Sequence, residues 1–134
     1  MQLADFDQWL GRLGAAWEAK DGGAYAALFS EDARYFWTPM DPPKLGREGI
    51  RHAFDAAVST QDDIHFVHEV LAISEGHGIA RWKCRFVRIG TGRPVRIDGI
   101  LTVRMDQGGR CREFREWWHT SENDNRRAPP TGQE

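Results

Sequence analysis

Only two cysteines occur in the 134 residues, Cys84 and Cys111, with no Cys-x-x-Cys and no histidine at ligand spacing beside them. That excludes a disulfide framework and argues against a zinc site, and reduced thiols in a cytoplasm are the simplest reading. Strict alternation along their strands puts the two on opposite sheet faces, so they are not expected to bond to each other. No apolar run approaches the ~20 residues of a membrane span. The first residues, MQLADFDQWL, have neither a basic start nor an unbroken apolar stretch, so no secretory leader is expected there. Excess charge is lacking too: the net value is −2, without the basic surplus of a general nucleic-acid binder. There is no Gly-x-Ser-x-Gly and no evident His–acid partner for Cys84, which disfavours a serine or cysteine hydrolase. Nothing in the inventory implies a metal or an organic cofactor, and no internal repeat is visible.

What is present suits one compact domain over residues 1–120. Hydrophobic residues make up 40% and charged residues 28% of the chain, enough to bury a core without staples. Six tryptophans are many for this length, and large rings matter most in cores, interfaces or pockets. Phe6, Leu10, Leu13 and Trp17 recur on one helical face, predicting a helix over Asp5–Lys20 with Asp5 and Gln8 as a capping box. Asp21-Gly22-Gly23 stops it, and a short helix carrying Tyr25, Leu28 and Phe29 follows. Ala33–Thr38 is strand-like, Pro39, Pro42 and Pro43 stiffen a loop, and Gly46–Val58 reads as a third helix with Ile50, Phe54 and Ala57 on one face. Beyond residue 62 the period changes to that of strands: Ile64–Ser74, Ile79–Ile89, Val95–Met105 and Cys111–Thr120, separated by short Gly-rich links. Residues 121–134 hold almost nothing apolar and read as a loose tail.

Helices first and a long meander after them predict an α+β fold, three N-terminal helices packed on a curved antiparallel sheet. Alternation separates the two faces. Ala80, Trp82, Cys84 and Phe86 point one way, and Arg81, Lys83 and Arg85 the other. In the last strand Phe114, Glu116 and Trp118 are set against Glu113, Arg115, Trp117 and His119. The aromatic face belongs inside. The other face carries Glu69, Asp98 and Glu113 among its arginines, a mixed charge that fits a protein partner better than a nucleic acid. With Trp117 exposed there, it is the expected contact surface of a homodimer.

The stretches AALFSEDARYFWTP, KLGREGIRHAF and GGRCREFREWWH resemble the nuclear transport factor 2-like superfamily, and within it the SnoaL-like bacterial branch, over about residues 5–120. The resemblance implies a cone-shaped domain with a pocket between sheet and helices. It does not choose a chemistry, since such folds host isomerases, cyclases, dehydratases, epoxide hydrolases and binding proteins. Ketosteroid isomerization needs a carboxylate base and an oxyanion hole of a tyrosine and a neutral aspartic acid. Ungapped matching puts these at Trp37, Leu13 and Leu101, with a further pocket tyrosine at Phe54. None of the four can do that work.

Glu116, between Phe114 and Trp118, is the candidate acid or base, because a carboxyl among rings has its ionised form disfavoured. The alternative is a bulge that turns it outward onto an arginine. His68, between Phe66 and Val70, either assists by shuttling a proton or is a core or rim histidine. Asp98 and His119 fall on the outer face with Arg96. Trp17, Tyr35, Trp37, Phe54, Trp82, Leu101, Phe114 and Trp118 are the expected pocket lining. Two readings follow: a protein that holds a small apolar or aromatic molecule, or a cofactor-free enzyme doing acid–base chemistry on a small carbonyl compound.

Overall fold

The computed structural model describes residues 1–122. Helix α1 spans Leu3–Glu18, α2 Gly22–Ala26 and α3 Gly46–Val58; strands are β1 (Phe29–Phe36), β2 (Lys44–Leu45), β3 (Gln61–Ser74), β4 (His77–Arg88), β5 (Pro94–Met105) and β6 (Cys111–Glu122). The α+β class, the three helices and the four-strand meander are as the sequence implies. No helix of the described residues is long and apolar enough to cross a membrane.

The sheet order is β2-β1-β6-β5-β4-β3. From β3 to β6 every pairing is antiparallel, but β1 lies parallel to β6, so the sheet is mixed rather than wholly antiparallel. Local alternation carries no information about that direction, because the partners Tyr35 and Phe114 are far apart in the chain. Several boundaries also move. Phe29 starts β1 instead of ending the second helix, and β3 begins at Gln61. Helix α1 begins two residues early, which makes Asp5 the third helical residue, accepting from the Gln2 N–H at 3.4 Å, and leaves Gln8 outside the cap. Strand β6 takes in Ser121 and Glu122; the rest of the expected tail lies outside the described residues.

Helix α1 is amphipathic and buries Phe6, Trp9, Leu10 and Leu13 against the concave face of the sheet. Helix α3 buries Ile50, Phe54 and Val58. Register shifts interrupt β3–β4 near residues 62–65 and 70–72, and β5–β6 after Arg104. Such bulges bend a strand and raise its twist, which curves the sheet around the helices. The last of them corrects the reading of Cys111. Arg104 pairs with Glu113 and Met105 with Cys111, so the bulge brings Cys111 into the same core cluster as Cys84. Both thiols are free.

Gly99 sits opposite Trp118, where an added Cβ would lie 2.5 Å from the Trp117 carbonyl oxygen and 2.8 Å from the Trp118 Cβ. Its bareness lets β6 press close enough to carry Trp118 across the inner face. Gly99→Ala is therefore expected to lower stability by about 1–3 kcal/mol, the usual cost of overpacking, read as a lower urea midpoint at unchanged slope. A midpoint equal to wild type would show that the two strands have slack at this point.

Candidate functional site

Between sheet and helices lies a cavity of about 320 Å³. Every helix and every strand except β2 contributes to its wall: Trp17 from α1, Tyr25 from α2, Tyr35 from β1 with Trp37 just beyond it, Phe54 from α3, Gln61 from β3, Trp82 from β4, Val95 and Ile97 from β5, and Glu116 and Trp118 from β6. The rings are held in place. The Trp17 Nε1–H donates to Gln61 Oε1 at 2.8 Å, and the Trp118 Nε1–H donates to the Trp37 carbonyl at 3.0 Å. Tyr25 stacks on Phe54 with centroids 4.1 Å apart, and Tyr35 stacks on Phe114 at 4.5 Å. Trp82 lies 5.6 Å from Trp17 and 6.0 Å from Phe66, and its indole nitrogen is buried without a hydrogen-bond partner among the described residues.

One carboxyl group interrupts this apolar wall. Glu116 is only 6% exposed. Its Oε1 accepts from the Tyr35 hydroxyl at 3.3 Å, and that hydroxyl is 2.8 Å from the hydroxyl of Tyr25. Burial pushes the Glu116 carboxyl up to about 8, and the hydrogen bond from Tyr35 pulls against that rise. Both phenols are raised above their ordinary value by burial and by the nearby carboxylate. Near neutral pH Glu116 is thus mostly a neutral acid, able to give a proton or a hydrogen bond to a molecule in the cavity, with two phenols in line behind it.

The other sequence-predicted positions divide. Trp17, Tyr35, Trp37, Phe54, Trp82 and Trp118 meet the cavity. Leu101 and Phe114 do not. Both are fully buried beneath the wall, Phe114 as the surface on which Tyr35 stacks. For His68 the rim alternative is the one found. It is near the surface, 19% exposed, with Nε2 2.8 Å from Asp7 Oδ1 of α1, away from the cavity. Facing the helices is not enough, because α1 covers that stretch of β3. Asp98 lies outside, held by Arg81 at 2.7 and 3.1 Å.

Sequence reasoning missed Tyr25, Gln61, Arg88 and Thr120, which also line the cavity. Tyr25 was visible as an apolar position of the second helix, but its hydroxyl contact with Tyr35 depends on how that helix docks. Gln61 precedes the predicted strand, so alternation never reached it. Arg88 is committed at the rim, donating to both carboxylate oxygens of Glu122 at 3.3 and 3.1 Å and to Thr60 Oγ1 at 2.8 Å. Burial pushes the Cys84 thiol up to about 12, which leaves it an unreactive core group.

The SnoaL-like domain model matches residues 10–114. The chain belongs to the SnoaL-like family. Solved structures share the fold of this SnoaL-like domain at low sequence identity. RV0760c from Mycobacterium tuberculosis is 14% identical with a TM-score of 0.76, covering 92% of this chain and 99% of that one. A putative isomerase from Bacillus subtilis is 20% identical with a TM-score of 0.77, covering 89% and 90%. A computationally designed 17-OHP binder is 16% identical with a TM-score of 0.73, covering 87% and 96%. At these identities the likeness is one of fold. No curated protein matches the chain.

The raised Glu116 value carries a stability signature. An unfolded glutamate titrates near 4.3, so between there and about 8 the folded chain keeps a proton that the unfolded chain has lost. The stability from this group is whole at low pH and is lost as pH rises through about 8. In Glu116→Gln that loss is absent. The wild-type minus variant difference in unfolding free energy is expected to fall by up to a few kcal/mol from pH 5 to 8.5 and then level off. A difference that stays flat across this range would mean that the carboxyl titrates normally.

Proposed function

We propose that this SnoaL-like domain is a small-molecule-binding protein whose cavity holds a neutral, largely apolar or aromatic molecule bearing a carbonyl group. The observation that carries this reading is Glu116, the one buried acid among the described residues, in a largely aromatic and aliphatic wall. A neutral carboxyl can donate to a carbonyl oxygen, whereas an anionic ligand would lose its hydration beside a group that gains charge on titration. The fold's capacity for such a task is supported by its likeness to a designed 17-OHP binder. The reading calls for no metal or organic cofactor, and the buried cavity is no place for a nucleic acid.

A second reading is favoured by the Tyr25–Tyr35–Glu116 chain: a cofactor-free isomerase, cyclase or dehydratase in which Glu116 passes a proton to or from a carbonyl compound. An acid whose value lies close to working pH suits that role. One variant separates the two readings. Glu116→Gln keeps a hydrogen-bond donor and removes the proton. Under the binding reading it retains affinity for a neutral aryl ketone within about threefold, by calorimetry; under the catalytic reading it abolishes turnover. Loss of ketone binding in Gln together with full binding in Glu116→Leu would count against any role for this acid.

We further propose that the outer sheet face pairs two copies of the chain. Trp117 is 44% exposed there, in one cross-strand row with Glu69, Arg81 and Ile100. Exposed Val67 and Ile79 lie on neighbouring rows of the same face. A large ring set among charges that already neutralise one another, such as Arg81 and Asp98, is the surface a symmetric partner covers best. Sedimentation at micromolar concentration is expected to give a dimer, reduced to monomer by Trp117→Arg. A wild-type monomer would contradict this.

A further inference from the structure

Gln61 is a buried polar side chain only half committed. It is 6% exposed, opens β3, pairs with Arg88 across the sheet, and lines the cavity. The indole N–H of Trp17 can only donate, so the Gln61 atom 2.8 Å from it is the amide oxygen. The orientation of the carboxamide is therefore fixed by chemistry. The NH₂ group is left over, and no described residue accepts from it. Nor is it sealed in protein, since the one fully enclosed side-chain polar atom without a partner among the described residues is the Trp82 nitrogen. Its polar neighbours at this end are spent, with Arg88 held by Glu122 and Thr60, and Thr60 itself donating to the Ala57 carbonyl.

Glu116 and Gln61 lie on different rows of the sheet. Glu116 belongs to the row Ala80–Leu101–Glu116, whereas Gln61 lies against Arg88 at the far end of β4. An apolar molecule filling the space would strip water from the Gln61 amide and leave it unpaired, an uncompensated desolvation. A molecule with an oxygen at that end recovers the bond. Sites built to hydrogen-bond a polar group reject analogues that lack it far more strongly than they reject a missing methylene.

We infer that Gln61 is a second ligand-anchoring and specificity-determining residue, so that the molecule taken carries an acceptor oxygen, carbonyl or ether, at the end remote from Glu116 as well as one at Glu116. This rests on the reading of the cavity as a binding site for a neutral ketone. It narrows the class from monofunctional aryl ketones to elongated compounds with oxygen at both ends.

A ladder of near-isosteric probes tests it by calorimetry: para-diethylbenzene, para-ethylacetophenone and para-diacetylbenzene, with the same three substitution patterns on biphenyl for a longer reach. The diketone is expected to bind wild type about threefold to tenfold more tightly than the ethyl ketone on the scaffold whose length fits, the worth of one net hydrogen bond. Gln61→Met is close to isosteric, leaves a weak thioether acceptor for Trp17 and removes the donor, whereas a glutamate buried there would hold a proton as Glu116 does and still donate. Gln61→Met is expected to erase the diketone's advantage and leave the ethyl ketone's advantage over the hydrocarbon intact. Equal binding of diketone and ethyl ketone to wild type on both scaffolds overturns the inference even if the variant fails to fold. So does an advantage that survives in Gln61→Met. If instead the ethyl ketone binds no better than the hydrocarbon, or Glu116→Leu leaves its binding unchanged, the neutral-ketone reading itself fails and Gln61 loses its role with it.

Discussion

A sheet that must curve around helices cannot also fill the space it encloses, and much of this structure follows from that constraint. The bulges at β3, β4, β5 and β6 and the bare Gly99 give the meander its bend. Helices α1 and α3 close one side with ordinary aliphatic and aromatic packing, and what remains between them is too wide for side chains of normal length. Rings span such a gap better than aliphatic chains, because they are large and have few rotors to order. Their stiffness then becomes a difficulty, since flat groups meeting at an angle leave voids. The cavity is where the rings meet imperfectly.

The placement of polar groups obeys the same limit. A buried hydroxyl, amide or indole usually finds a partner, and among the described residues the Trp82 indole nitrogen is the one fully enclosed side-chain atom that does not. Trp17 finds Gln61, Trp118 finds the Trp37 carbonyl, and Tyr25 finds Tyr35. These bonds link elements distant in sequence and fix the walls as a unit. Glu116 is the exception in kind, an ionisable group whose surroundings favour its uncharged form. Removing the water around it makes it useful, and the same desolvation makes it a burden on the fold at alkaline pH.

Much of the fold was legible because it is written in local periods. The switch from helical spacing to alternation after residue 62 marks the meander, and alternation alone set Glu116 and Trp118 on the inner face and Arg81 and Asp98 on the outer. Legibility ended where the chain departs from a period or where distant segments meet. A bulge moved Cys111 from the face that parity assigned it. The parallel seat of β1 beside β6 has no local signature. His68 has the parity of an inner residue, yet only the position of α1 decides that it meets Asp7 rather than the cavity. Leu101 and Phe114 share a face with the lining residues but sit one layer deeper. Tyr25 and Gln61 were overlooked because their importance lies in the group each one touches, and neither contact is local.

The pairing of β1 with β6 has a temporal side. A chain made from its N-terminus exposes Phe29, Ala33 and Tyr35 early, and the strand on which they dock, β6, is the last strand among the described residues. Until Cys111–Glu122 arrives, β1 has only the two-residue β2 as a neighbour. Pairings this remote in sequence carry a large loop-closure cost and tend to slow the search for the native state. During that interval an aromatic strand edge stands uncovered, a form prone to clump with its own kind. The closing strand also brings Glu116, so the domain gains its buried acid in the same late event that seals its sheet.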